Sequence, residues 1–110
     1  MNKPIVGITM GDPAGIGPEL IIRCFSEKKL PHTAVPLVIG SKEPLMDAMK
    51  ACWLSIPLKI IRDIDELTDN DNSIQFIDVP LYHDFHNTGL MKENGAVSLQ
   101  YIYRALEFIK

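Results

Sequence analysis

The segment with the tightest chemical constraints is Gly11-Asp12-Pro13-Ala14-Gly15-Ile16-Gly17-Pro18-Glu19, which holds three glycines and two prolines. Glycine admits positive φ and lets another backbone or a ligand approach closely. The segment follows the apolar run Pro4 to Met10 and precedes Leu20-Ile21-Ile22-Arg23-Cys24-Phe25, so it reads as a strand-loop-helix turn that aims unpaired helix N–H groups above a sheet. An anion or polar ligand could sit there. Yet the spacing is not Gly-x-Gly-x-x-Gly and no Lys-Ser or Lys-Thr follows, so the dinucleotide fingerprint and the phosphate-binding P-loop both fail. Asp12 would repel a phosphate unless a metal or a basic group neutralised it. The loop therefore suits a hydroxyl, an amide, or contact with another part of the protein. The same residues would equally serve as a tight structural connection.

The other chemically capable residues receive blander readings. His83 and His86 have the i, i+3 spacing of a metal pair on a helix, but they fall in an aperiodic stretch with only Asp84 beside them, and they read as solvated loop histidines. His32, after Pro31, reads the same way. Asp63, Asp65, Glu66, Asp69 and Asp71 form an acidic cluster of the kind that marks a solvated loop. Cys24 and Cys52 are far apart, each in an apolar segment, and read as buried free thiols. The five methionines and Trp53 read as core or interface packing.

The elements that must position these groups alternate in type. Pro4 to Met10 reads as a buried strand stopped by Gly-Asp-Pro. Pro18-Glu19 opens a first helix, with proline suited to its first turn and glutamate to its positive end. Pro31 stops that helix, and Val35-Pro36-Leu37-Val38-Ile39-Gly40 forms a second strand. Ser41 is expected to cap a helix over Glu43 to Cys52, with Leu45, Met46, Met49 and Trp53 sharing a face. Leu58 to Ile61 and Ile74 to Val79 are further strands, separated by the polar turn Asp69 to Ser73. Pro80 to Gly89, with two histidines, Asp84 and Asn87, reads as a surface loop. A last helix begins at Lys92 or Asn94, with Val97, Leu99, Ile102, Ala105, Leu106 and Ile109 at helical spacings. The whole is an α/β unit with a mainly parallel sheet and flanking helices. The last helical pattern is still running at Lys110, where a unit of this kind normally feeds another strand.

The run Ile8-Thr9-Met10-Gly11-Asp12-Pro13-Ala14-Gly15-Ile16-Gly17-Pro18-Glu19 resembles the N-terminal signature of the 4-hydroxythreonine-4-phosphate dehydrogenase (PdxA) family. Gly89 to Ile109, with Glu93-Asn94-Gly95-Ala96, Tyr101-Ile102 and Ala105, is similar to the segment that precedes this family's catalytic half, whereas Lys28 to His86 agrees only in its strand and helix pattern. The resemblance implies a longer protein with the two-domain α/β/α fold of isocitrate and isopropylmalate dehydrogenases, an interdomain active site and a homodimeric assembly. Residues 1–110 would be its N-terminal α/β segment, with the rest of the first domain and the second domain absent. The implied reaction is oxidation of 4-phosphohydroxy-L-threonine to 2-amino-3-oxo-4-phosphooxybutanoate, which decarboxylates to 3-amino-2-oxopropyl phosphate, in pyridoxal phosphate biosynthesis. It would use NAD or NADP and a divalent metal ion such as zinc, magnesium or cobalt, neither expected on this chain alone. The family's histidine metal ligands and its His-Thr, Lys, Asn and Arg substrate contacts match no position here, so no residue inherits a catalytic or metal role and the cofactor-binding residues stay unassigned. Gly11, Asp12, Pro13, Ala14, Gly15, Gly17 and Glu19 are expected to line or brace the cleft. An isolated chain is expected to be inactive.

Composition narrows the alternatives. At 110 residues, 46% hydrophobic and 23% charged, the chain suits one modest domain. A net charge of −3 with no long basic run argues against nucleic acid. No apolar stretch reaches the about 18 residues of a membrane span, and no small-residue cleavage site follows an apolar core, so a cytoplasmic protein is expected. Two alternatives remain. One is a paralogous dehydrogenase of D-erythronate or D-threonate 4-phosphate. The other is a stand-alone ligand-binding α/β module, which would need a closed sheet.

Overall fold

A computed structural model describes residues 3–69, 72–86 and 92–108. Asn70 and Asp71 of the polar turn, Asn87 and Gly89 of the loop, and Ile109 of the last helix lie outside the described residues. Four strands, β1 (Ile5–Thr9), β2 (Val35–Gly40), β3 (Leu58–Ile60) and β4 (Ile74–Asp78), form one parallel sheet in the order β1-β2-β4-β3. Among the described residues three helices, α1 (Gly17–Ser26), α2 (Lys42–Cys52) and α3 (Lys92–Leu106), accompany it, with a 3-10 turn at Ile64–Glu66 between β3 and β4. The register places Ile8, Val38, Phe76 and Ile60 in one row across all four strands.

The α/β expectation and the parallel sheet are borne out. The central strands β2 and β4 are apolar at successive positions because both their faces are covered: Leu37, Val38, Ile39, Ile74, Phe76 and Ile77 are all buried. At the edges burial is partial, and Val6 on β1 and Ile60 on β3 are nearly half exposed. The connections through α1 and α2 advance across the sheet in the same direction. Right-handed crossovers then put both helices on one face, where they pack together. Helix α3 returns from β4 to lie against β1 and β2. Among the described residues, no helix is long and apolar enough to cross a membrane.

Several side chains depart from their expected places. Ser41 does hold the N-cap position of α2, but its side chain makes no cap bond; the Lys42 amide is capped instead by Asp78 Oδ1 at 3.0 Å. The buried face of α2 is Pro44, Leu45 and Ala48, while Met46 is exposed and Trp53 is 94% exposed. Trp53 leaves the predicted stripe because it takes a left-handed conformation, φ 56°, where the helix ends. Lys28 does the same after α1 at φ 53°. In each case the following amide reaches back to the helix, Lys29 to Cys24 O at 3.1 Å and Leu54 to Met49 O at 3.0 Å, which closes a Schellman-type turn without glycine.

On α3 the buried positions are Asn94 and Tyr101, with Val97 and Ala105, and Phe108 just past the helix, partly buried against the core. Leu99, Ile102 and Leu106 belong to a second stripe rotated off that face and are about half exposed. Both cysteines are half-buried rather than buried. The acidic cluster is partly structural: Asp63 and Glu66 make a reciprocal capping box on the 3-10 turn, and Asp69 pairs with Lys3 at 3.0 Å.

Candidate functional site

The glycine-rich loop leaves the carboxyl end of β1, next to the Ser41 turn after β2 and the loop after β4. In a parallel α/β sheet this is the end at which ligands are held. The loop is braced from within. The Asp12 carboxylate accepts the Ala14 amide at 2.8 Å, and the Asp12 carbonyl accepts the Gly15 amide at 2.9 Å. Asp12 thus takes up two of the loop's own N–H groups ahead of α1, one on its carboxylate and one on its backbone carbonyl. Gly11 has φ +78°, and Gly17 lies so close to the end of β1 that a Cβ there would stand 1.9 Å from the Met10 carbonyl oxygen. Pro18 is buried, and Glu19 pairs with Arg23 one helical turn on at 3.1 Å.

Beside this loop runs a shallow open groove between the start of α1 and α2. Its floor is Pro13, Pro18, Pro44 and Ala48, and its wall is Phe85 and His86. The wall is fastened at several points. Asn94, fully buried in α3, donates from Nδ2 to the Phe85 carbonyl at 3.2 Å and accepts at Oδ1 from His83 Nε2 at 2.5 Å, which puts the His83 proton on Nε2. His86 Nε2 lies 2.7 Å from Asp47 Oδ2 of α2, and its Nδ1 lies 2.8 Å from Asp84 Oδ1. Phe85 stacks on the ring at 4.1 Å. Asp84 first and Asp47 second raise the His86 pKa above its ordinary value. The His86 amide and ring in turn lower that of Asp84. The reading of two solvated loop histidines holds for His86, whose side chain is 65% exposed even while it pairs with Asp47 and Asp84, and is corrected for His83, which is half-buried against Asn94.

Behind the wall sits a buried polar knot. The Ser41 hydroxyl donates to the Val79 carbonyl at 2.5 Å, so at 2.5 Å it accepts from Tyr101 Oη. Burial pushes the Tyr101 pKa up to about 12. Burial likewise raises the carboxyl of Asp78, which caps α2. Asp47, Asp78, Asn94 and Tyr101 were not singled out by sequence reasoning as structural anchors. The available signal was Asn94 standing four and seven residues from Ser98 and Tyr101 on the face that also carries Val97.

Among the described residues no group of three or more His, Cys, Asp or Glu side chains is placed to hold a metal ion. Both nitrogens of His86 already face carboxylates, and Arg23 is taken by Glu19. The described residues thus do not fit a divalent-metal site. His32 is exposed at the opposite end of the sheet, where it lines a separate cavity with Lys3, Lys28 and Asp69.

No protein-family model matches the chain. It is 30% identical over 112 aligned positions to a protein of Clostridium botulinum provisionally named D-threonate 4-phosphate dehydrogenase, covering 99% of this chain and 33% of the relative. It is also 30% identical to the 4-hydroxythreonine-4-phosphate dehydrogenase of Trichlorobacter lovleyi, covering 96% of this chain and 32% of that protein. The crystal structure of a 4-hydroxythreonine-4-phosphate dehydrogenase from Burkholderia phymatum superposes on 97% of this chain and 33% of its own with a TM-score of 0.81 at 31% identity. The chain spans about a third of the length of the curated relatives it matches. The resemblance carried by Ile8 to Glu19 thus extends along nearly the whole chain, and these relatives and structures are dehydrogenases.

Proposed function

We propose that this chain is the N-terminal α/β part of a dehydrogenase of the 4-hydroxythreonine-4-phosphate dehydrogenase family, oxidising the secondary alcohol of a small phosphorylated hydroxy acid with NAD or NADP. The observation that carries the proposal is the near-complete match of this chain, sequence and fold together, to one third of such dehydrogenases. In this reading the Gly11 to Gly17 loop and Glu19 form one wall of the working cleft. Asp12, spent on its own loop amides, keeps the turn rigid and takes no part in proton transfer. Metal ligands, phosphate-binding side chains and the homodimer contacts belong to the rest of the polypeptide, and the chain by itself turns over nothing.

Two substrates divide the reading. 4-Phosphohydroxy-L-threonine would place the protein in pyridoxal phosphate biosynthesis in the cytoplasm, whereas the names of relatives such as those of Clostridium botulinum and Oceanobacillus iheyensis favour D-threonate 4-phosphate. The test is to assay the intact protein against both, and against D-erythronate 4-phosphate, with NAD⁺ or NADP⁺ and a divalent cation. Reduction of the nicotinamide with one of the three supports the proposal and chooses the substrate. Turnover of none overturns it.

A further inference from the structure

We propose that His86, held between Asp47 and Asp84, is a proton-controlled pin that fastens the Phe85-His86 wall of the groove to α2. The geometry demands a charged ring. Both imidazole nitrogens point at carboxylate oxygens, 2.7 Å and 2.8 Å away, and an ionised carboxylate only accepts. A neutral ring carries one N–H, so one nitrogen would face a carboxylate lone pair to lone pair. The imidazolium satisfies both.

The ring is open to solvent, with Phe85 stacked on one face, and the charged groups facing it are mostly acidic. Asp84 comes from the same loop, and Asp47 comes from α2, with Glu43 and Lys50 one turn away on either side. Glu19 of α1 lines the far side of the groove, already paired with Arg23, and His83 is occupied by Asn94. Among the described residues, Asp84 and Asp47 are the side chains hydrogen-bonded to the ring nitrogens.

The two carboxylates are not equivalent. Asp84 is two residues away and also accepts the His86 amide at 3.0 Å, so that bond is local and doubly made. Asp47 is 39 residues away, on another element. When the ring loses a proton it keeps Nδ1–H on Asp84 and gives up Asp47. The wall then remains tethered to α3 through Asn94 but is released from α2. The sign follows: the ring's raised pKa means that the pin is fully made below the ordinary histidine value of 6.5 and is lost as pH rises through the higher folded value. The pin holds whether or not the protein proves to be a dehydrogenase, because none of its parts is a reacting group.

The test uses histidine-selective NMR titration of the intact protein, with His86 assigned by loss of its signal in His86→Gln. The expected midpoint lies above 6.5 and moves down toward it in Asp47→Asn. Hydrogen exchange of the peptide spanning residues 83–86, corrected for intrinsic rates, should rise several-fold as wild type passes that midpoint. In His86→Gln it should already be fast at low pH and show no step. A midpoint at or below 6.5, a midpoint indifferent to Asp47→Asn, or exchange without a step in wild type would each overturn the proposal. No readout involves turnover, so failure here is separate from failure of the dehydrogenase reading.

Discussion

Gly17 is the position at which the site can be broken with a single methyl group. A Cβ there would stand 1.9 Å from the Met10 carbonyl oxygen, against an ordinary contact that begins near 3.4 Å, a shortfall of 3.4 − 1.9 = 1.5 Å. Neither partner is a movable side chain. Met10 is tied to the sheet through its amide bond to Ile39 O at 3.0 Å, and Gly17 opens α1, whose Pro18, Ile21 and Ile22 are buried. Gly17→Ala must therefore displace the start of α1 or the end of β1, and it should lie at or above the top of the ~1–3 kcal/mol range of core overpacking. Two neighbours calibrate the effect. Gly11→Ala meets nothing within 4 Å but keeps φ +78°, so only the left-handed backbone term of ~1–2 kcal/mol applies. Gly15→Ala approaches the Asp12 carbonyl oxygen at 3.3 Å with no such backbone demand and should cost least. Urea unfolding of the intact protein should rank the midpoints Gly15→Ala, then Gly11→Ala, then Gly17→Ala. With a slope of ~2 kcal/mol/M, a loss of ~3 kcal/mol moves a midpoint by roughly 1.5 M. If Gly17→Ala unfolds at the same urea concentration as Gly15→Ala, the close approach of α1 to β1 is wrong.

Lys28 is a non-glycine residue in the left-handed position that closes α1, so Lys28→Gly should raise stability by ~0.5–1 kcal/mol, seen as a higher urea midpoint. Tyr101 should set an alkaline limit. Its folded pKa of about 12 exceeds the ordinary 10.0, so its contribution is complete below pH 10 and is lost as pH climbs toward 12, by roughly 2 to 3 kcal/mol. In Tyr101→Phe that alkaline slope should disappear, while stability at neutral pH falls by ~1 kcal/mol with the Ser41 bond.

Much of the fold was legible because the relevant signals are local. Val35 to Gly40 is an unbroken apolar run between a proline-bearing turn and a serine, and it is a strand over those same residues. The glycine-rich loop announced itself because few sequences satisfy both a left-handed residue at Gly11 and, at Gly17, a position where a Cβ would stand 1.9 Å from a carbonyl oxygen. The failures have distinct physical causes. Helical spacing gives the angle between residues but not which sector faces the sheet, so Leu99, Ile102 and Leu106 on α3 looked as good as Val97 and Ala105. A left-handed turn at Trp53 redirects a side chain that periodicity assigned to the core. The polar anchors were hidden because each joins elements distant in sequence: Ser41 with Tyr101, 60 residues apart, and His86 with Asp47, 39 apart. Such pairs become visible only once β4 has been inserted between β2 and β3.

The central claim is that the loop from Gly11 to Gly17 forms part of a dehydrogenase's working cleft. Its most direct test is the turnover of the intact protein, wild type against Asp12→Ala, on whichever phosphorylated hydroxy acid it oxidises. Asp12→Ala removes the bond to the Ala14 amide without touching the core, so the protein should stay folded while kcat/KM falls at least tenfold, about 1.4 kcal/mol of transition-state stabilisation. His32→Ala, at the far end of the sheet, should leave kcat/KM unchanged. A folded Asp12→Ala protein that turns over at the wild-type rate would contradict the placement of the loop in the cleft, and a wild-type protein that oxidises none of the three acids would contradict the dehydrogenase itself.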